Sequence, residues 1–199
     1  MKTIKLKKVE HNVKIGDKCP YYEPTITEDC LLEDEGEIIG FYIKDVSKYN
    51  DRLSKLLSVS NNEFRSDNVP KSEMLRSESL RDGYEKYGKY KLDNPVLQYS
   101  TILGSLAPRA LLRRTYASRS SVHSDKKAQT FIKAMLATAI ESEKVIKEVA
   151  PKIYERQMKM FESIDDKWKF GNMFTSSISN FNIAAAFHRD TGNLVGSVN

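Results

Sequence analysis

The alternation of apolar and polar residues predicts two strands near the N-terminus. Residues 3–9 alternate between the two classes, which places their apolar side chains on one face of a strand. A Glu35-Gly36 turn precedes residues 37–43, whose β-branched and aromatic side chains predict a second, well-buried strand. Residues 45–57 follow with apolar positions about one helical turn apart, so they predict a helix.

The middle of the chain predicts a long helix. Apolar residues recur at helical spacing from Ala128 to Val149, and Ser124 or Asp125 is a suitable N-cap. Pro151 interrupts the pattern, so residues 153–161 form either a second helix or a kinked continuation. The segment 58–92 is polar, so we expect it to be the least ordered part of the chain.

The pattern changes again after residue 168. Ser, Thr, Asn and Phe alternate with small apolar residues in the segment 170–199, which predicts two strands, the second leading into His188. We therefore predict an α+β fold in a single domain, 1–199. It would comprise a mixed strand and helix part, 1–168, and the start of a β core, 169–199.

Composition narrows the class of protein. With 199 residues, 40% hydrophobic and 30% charged, the chain is typical of a globular domain. No apolar run approaches the ~18 residues of a membrane span, and no signal peptide is recognisable, so we expect a cytoplasmic protein without membrane contact. Cys19 and Cys30 are expected to be reduced thiols, since a zinc site would find only His11 nearby.

The formal net charge of +5 is unevenly distributed. Acidic residues cluster between residues 28 and 37, and basic residues cluster in the middle of the chain, with Tyr116 among them. Such a basic cluster can bind nucleic-acid phosphates, although a solvated surface is the more usual role of such a cluster. The members of the basic cluster are Arg109, Arg113, Arg114, Arg119, Lys126 and Lys127.

An H-x-D pair near the C-terminus carries the candidate chemistry. In an extended strand His188 and Asp190 lie on the same face, because they are two residues apart. One imidazole and one carboxylate are two of the three ligands of the facial triad that holds non-haem Fe(II). A hydrogen-bonded surface pair followed by an Asp-Gly turn would have the same sequence.

The stretch around this pair resembles the iron-binding segment of TET/JBP-like 2-oxoglutarate/Fe(II)-dependent dioxygenases, most closely phage and metagenomic members. The resemblance implies an incomplete double-stranded β-helix that binds Fe(II) through His188 and Asp190, with 2-oxoglutarate beside the metal. It also implies hydroxylation of a methyl group on a DNA pyrimidine, inside a bacterial host cell if the protein is phage-encoded. The matching residues are Phe174-Thr175-Ser176, Asn180-Phe181-Asn182 and His188-Arg189-Asp190-Thr191-Gly192-Asn193-Leu194.

The chain lacks two groups that the family has after the H-x-D pair. The family's second histidine and the basic residue that binds 2-oxoglutarate follow the H-x-D pair, whereas His11 and His123 precede it here. We therefore expect the N-terminal part of such an enzyme, inactive alone and completed by further residues or by a second chain. The alternatives are a phage nucleic-acid-binding protein and a structural protein without a site.

Overall fold

The structure is a computed structural model that describes residues 1–8, 12–17, 23–70, 72–73, 99–106, 108, 116–181 and 187–188. It has the predicted α+β class. The strands are β1 (Lys2–Lys5), β2 (Cys30–Asp34), β3 (Glu37–Tyr42), β4 (Ser72–Glu73), β5 (Tyr99–Leu106), β6 (Ser118–Arg119) and β7 (Ser176–Phe181). The helices are α1 (Asp51–Arg65), α2 (Gln129–Val149) and α3 (Pro151–Phe161).

The first three strands form the N-terminal sheet, in the order β1-β2-β3. β1 is parallel to β2, and β2 forms an antiparallel hairpin with β3. Glu35 and Gly36 both have positive φ, which suits the twist of a tight hairpin turn. The prediction that β3 is well buried is wrong: three of its residues are exposed and three are half-buried, because β3 is an edge strand of the N-terminal sheet.

Helix α1 begins later and ends later than the sequence predicted. Asp45 caps a single 3-10 turn, Val46–Lys48, and the Oδ1 atom of Asn50 then accepts the Leu53 N–H at 2.9 Å to start α1. The helix continues to Arg65 through residues 58–65, which were predicted to be poorly ordered. These polar residues are helical because Ser60 and Phe64 are buried in the packing of α1 against α2.

The prediction of a long helix followed by a break at Pro151 is confirmed. The predicted N-cap at Ser124 or Asp125 is wrong: the N-cap of α2 is Ala128, which makes no side-chain cap hydrogen bond. Asp125 Oδ1 instead accepts the backbone N–H of Lys127 at 2.7 Å and of Ala128 at 3.3 Å in the turn before α2. Pro151 occupies the start of α3, where its missing N–H leaves no helical hydrogen bond unmade. Among the described residues, no helix is long and apolar enough to cross a membrane.

The second sheet is built around β5. β7 pairs antiparallel along one edge of β5, while β4 and β6 pair with opposite ends of its other edge. The core of the molecule lies between this sheet and α2, where Leu103, Phe131 and Phe170 are fully buried. The first strand predicted in 170–199 is therefore confirmed as β7, and the second lies outside the described residues apart from Phe187 and His188.

Candidate functional site

The backbone of Phe187, next to His188, is hydrogen-bonded to a turn near the N-terminus. The Phe187 N–H donates to the Asp17 carbonyl at 3.0 Å, and the Gly16 N–H donates to the Phe187 carbonyl at 2.8 Å. Residues 14–17 form a turn in which Asp17 Oδ2 accepts the Lys14 N–H at 2.7 Å. This turn anchors the backbone beside His188, while the His188 side chain is exposed.

The described residues around His188 do not form a metal centre. Asp190, the second predicted ligand, lies outside the described residues. Over the described ranges, no three His, Cys, Asp or Glu side chains lie close enough to hold a metal ion together. A facial triad needs three ligands, and His188 is the one that the structure describes, so no reaction step follows from the geometry.

His123, the other described histidine, is unsuited to bind a metal. Its Nε2 lies 3.0 Å from an Arg119 guanidinium nitrogen, and because a guanidinium only donates, Nε2 must accept. Nδ1 therefore carries the proton; it is buried and has no hydrogen-bond partner in the described structure. Burial, followed by the Arg119 charge, lowers the pKa of His123, so the ring is neutral near pH 7.

Arg119 is the described arginine of the predicted basic cluster. Besides contacting His123, its guanidinium donates to the Lys167 carbonyl, which joins β6 to the 3-10 turn Asp166–Trp168. The Lys167 ammonium lies 5.5 Å from the Trp168 ring centroid and 2.7 Å from Asp165 Oδ2. Arg109, Arg113 and Arg114, the other predicted nucleic-acid-binding residues, lie outside the described residues.

Tyr116 and two lysines of the predicted basic cluster have exposed side chains. The Tyr116 side chain is 66% exposed, and Lys126 and Lys127 are both exposed. The sequence placed these residues in one basic cluster with Arg119. It did not indicate that Arg119 would contact the segment around Trp168, because the two are separated by 48 residues.

Glu141 is a buried carboxylate whose contacts are structural. It is 4% exposed on α2, where its carboxylate oxygens lie 2.8 Å from Lys144 Nζ and 2.8 Å from Asn50 Nδ2. Arg52 Nε lies 3.5 Å from the same carboxylate. The hydrogen bond from Lys144, then that from Asn50, lowers the pKa of Glu141, so it remains ionised and is poorly suited to proton transfer near pH 7.

A cleft of about 220 Å³ lies between α2 and the segment 170–177. Sequence reasoning did not identify it, because residues on its two sides are more than 25 positions apart. The only local signal is the row of small residues on one face of α2. The cleft is lined by Met135, Thr138, Ala139, Ser142, Phe170, Phe174, Ser176 and Ser177.

Comparison with known proteins leaves the family unassigned: no family model, curated protein or solved structure matches the chain.

Proposed function

We propose that the chain is part of a 2-oxoglutarate/Fe(II)-dependent dioxygenase that binds iron through His188 and Asp190. Its substrate would be a methyl group on a DNA pyrimidine or a related compound. The observation that supports this best is the placement of His188, which follows β7 in the chain and is exposed beside an anchored backbone. The hydrogen bonds of Phe187 fix the backbone from which the His188 side chain would reach a metal.

Fe(II) and 2-oxoglutarate would need further ligands besides His188 and Asp190. A second histidine ligand must come from outside the described residues or from a second chain, and a basic group must bind 2-oxoglutarate. His123 cannot be this second histidine ligand, because its Nε2 accepts from Arg119 and its Nδ1 is protonated and buried. Iron would activate oxygen once bound, and the part of this chain is to hold it by His188 and Asp190.

Anaerobic calorimetric titration of the full chain with Fe(II), with and without 2-oxoglutarate, tests the proposal. We expect weak binding at one site, because two ligands hold Fe(II) poorly. His188→Ala and Asp190→Ala should each abolish it. His123→Asn is the matched control, since the geometry at His123 excludes it as a ligand, and it should leave binding unchanged. Equal binding by the parent chain and His188→Ala would rule out the proposed ligand.

Nucleic-acid binding is the second candidate function, and the surface at β6 favours it. Arg119 joins the segment containing Lys167 and Trp168, and Tyr116 is exposed nearby in the sequence. Cations beside aromatic rings are typical of surfaces that bind single strands by phosphate contact and base stacking. This candidate is compatible with the first, since an enzyme acting on DNA must also bind it.

Fluorescence anisotropy with a labelled single-stranded oligonucleotide, repeated over a salt series, tests this candidate. Each lost phosphate contact should reduce the slope of log K against log salt concentration by about 0.7 for a single strand. We expect that reduction in the Arg113→Ala/Arg114→Ala double variant. Lys5→Ala/Lys55→Ala removes the same charge from two surface ion pairs elsewhere and serves as control. A salt-independent affinity would count against phosphate contact.

A further inference from the structure

We propose that the cleft between α2 and residues 170–177, here called the α2 cleft, binds a small uncharged planar molecule of the aromatic amide class. The α2 cleft is distinct from the candidate iron site. Ser176 and Ser177 line it at the start of β7, whereas His188 follows the other end of that strand. His188 does not line the α2 cleft, and neither do Gly16 and Asp17, whose backbone groups bond to Phe187.

Two aromatic rings give the α2 cleft its apolar character. Phe170 is 1% exposed and belongs to the core, and Phe174 is half-buried and packs against that core. The Phe170 N–H donates to the Phe174 carbonyl at 2.7 Å, so the backbone fixes the two phenylalanines relative to each other. Phe170 therefore closes the base of the cleft, and the half-buried Phe174 ring offers the aromatic surface that a ligand ring would meet.

The two walls of the α2 cleft are held close together at one point. Gly171 has a φ of +70°, and a Cβ atom there would lie 3.0 Å from the Ala139 Cβ. Segment 170–177 thus crosses α2 in close contact at Gly171 and leaves a gap beside it. A gap next to a tight contact keeps its shape, because the packed side chains on either side cannot shift far.

Serine hydroxyl groups supply the polar part of the lining. Thr138 is already engaged, since its hydroxyl donates to the Ala134 carbonyl at 2.9 Å and lies 3.3 Å from the Ser60 hydroxyl. Ser142, Ser176 and Ser177 make no side-chain hydrogen bond within the described residues. Their hydroxyls can both donate and accept, which matches the N–H and C=O groups of an amide.

The lining contains no ionisable side chain, and this decides the charge of the ligand. The adjacent carboxylate, Glu143, is held by the Tyr154 hydroxyl at 3.2 Å and by Asn172 Nδ2 at 2.7 Å. A charged ligand would lose its hydration without gaining an opposite charge, which is costly. The volume, about 220 Å³, is smaller than a typical drug-sized pocket of at least roughly 300 Å³ and suits a single ring.

Titration of the ¹⁵N-labelled full chain with benzamide, followed by NMR, tests the proposal. We expect saturable shifts in the amides of residues 135–142 and 170–177, with a Kd on the order of 1 mM. Benzoate has the same ring but carries a charge, so it should bind at least about tenfold more weakly. An absence of saturable shifts in these two segments, or equal binding of benzoate, would overturn the proposal.

Variants that fill the α2 cleft locate the binding. Ser142→Met should abolish the benzamide shifts, because the longer side chain occupies the gap. Ser58→Met places the same change at an exposed serine in the middle of α1 and should leave binding intact. If Ser142→Met does not give a dispersed spectrum, Ser177→Met fills the cleft from its other wall. Benzamide binding that survives in a folded filled variant would contradict the assignment.

Discussion

At the scale of single residues, Gly104 sets how closely β5 and the chain leading into β7 can approach. Its φ of +83° lies in the left-handed region. A Cβ atom at this position would lie 2.5 Å from the Thr175 carbonyl oxygen and 2.9 Å from the Ser176 Cα. Two independent penalties therefore apply to any side chain here, one from backbone strain and one from collision with backbone atoms that cannot rotate away.

Comparison of Gly104→Ala with Gly36→Ala separates the two penalties. Gly36 has a similar φ of +89°, but a Cβ there would meet no atom within 4 Å. We expect Gly36→Ala to cost about 1–2 kcal/mol of unfolding free energy from strain alone. Gly104→Ala should cost about 1–3 kcal/mol more because of the collision. Urea denaturation of both variants measures the difference, and equal losses would show that the close approach at Gly104 is absent.

Protonation of His123 should destabilise the fold. Its pKa is lowered from the ordinary value of 6.5 by burial and then by Arg119, whose guanidinium occupies the Nε2 lone pair. When the pKa is lower in the folded state than in the unfolded state, stability is complete above pH 6.5. Stability is then lost as the pH falls through the lower, folded-state pKa. The Arg119 contact, and with it the link between β6 and Lys167, should weaken over that range.

A comparison of unfolding free energies at pH 7.5 and pH 5 checks the effect of His123. The parent chain should lose more stability on acidification than His123→Asn, which cannot acquire the buried charge. His11 and His188 are present in both proteins, so their contributions cancel in the comparison. Identical pH dependence in the two proteins would mean that His123 titrates normally.

At the scale of elements, Asn50 and Glu141 join the start of α1 to the middle of α2. Asn50 Oδ1 caps α1 by accepting the Leu53 N–H, while its Nδ2 donates to Glu141 Oε2 at 2.8 Å. The Asn50 side chain therefore caps α1 and also binds its start to α2. Ser60 and Thr138 make a second polar contact, 3.3 Å between hydroxyl oxygens, where the same helices pack.

Loss of the Glu141 carboxylate should weaken the packing of α1 on α2. In Glu141→Ala the Asn50 amide loses its acceptor in a partly buried position, and we expect a cost of about 1–3 kcal/mol. Glu148→Ala removes an exposed carboxylate from the same helix and should change the unfolding free energy by less than about 0.5 kcal/mol. Thermal denaturation of the two variants gives the comparison. Similar losses in both would show that Glu141 is an ordinary surface charge.

The helices show which features of the fold could be predicted from sequence. α2 was predicted because its apolar residues repeat over many turns, and the break at Pro151 was predicted because proline cannot continue a helix. The bounds of α1 were missed because the signal that starts it, Asn50, lies within the apolar pattern rather than before it. Its last two turns were missed because Ser60 is buried against Thr138, a contact that no local pattern reveals.

The two candidate sites, His188 and the α2 cleft, also differ in how far they could be predicted from the sequence. His188 was predicted to be a metal ligand from residues adjacent in sequence, and that role stays a prediction. The sequence did not indicate that residues 16 and 17 would anchor Phe187. The α2 cleft depends on Ser142 and Ser177 being brought together by β7 pairing with β5. Contacts between distant segments set its shape, and each lining residue taken alone is typical of an ordinary helix or strand.

At the scale of the whole molecule, a shared core crosses the predicted boundary between residues 168 and 169. Phe170 and Met173 follow that boundary, yet both are fully buried, and Phe170 belongs to the same cluster as Leu103 of β5 and Phe131 of α2. The segment leading into β7 is therefore part of the core of the preceding residues. We therefore expect the two parts, 1–168 and 169–199, to unfold together.

Trp168, the only tryptophan in the chain, makes this cooperativity measurable. Its fluorescence reports on the segment next to Phe170, while far-UV circular dichroism reports on the helices. Both signals should change at the same urea concentration in the parent chain. Phe170→Ala should shift both midpoints together and lower the unfolding free energy by about 3–5 kcal/mol. Ile178→Ala, at a β7 side chain that is 56% exposed, should have little effect. A fluorescence transition well below the circular dichroism transition would instead mean that the segment from Phe170 to β7 unfolds independently of the helices.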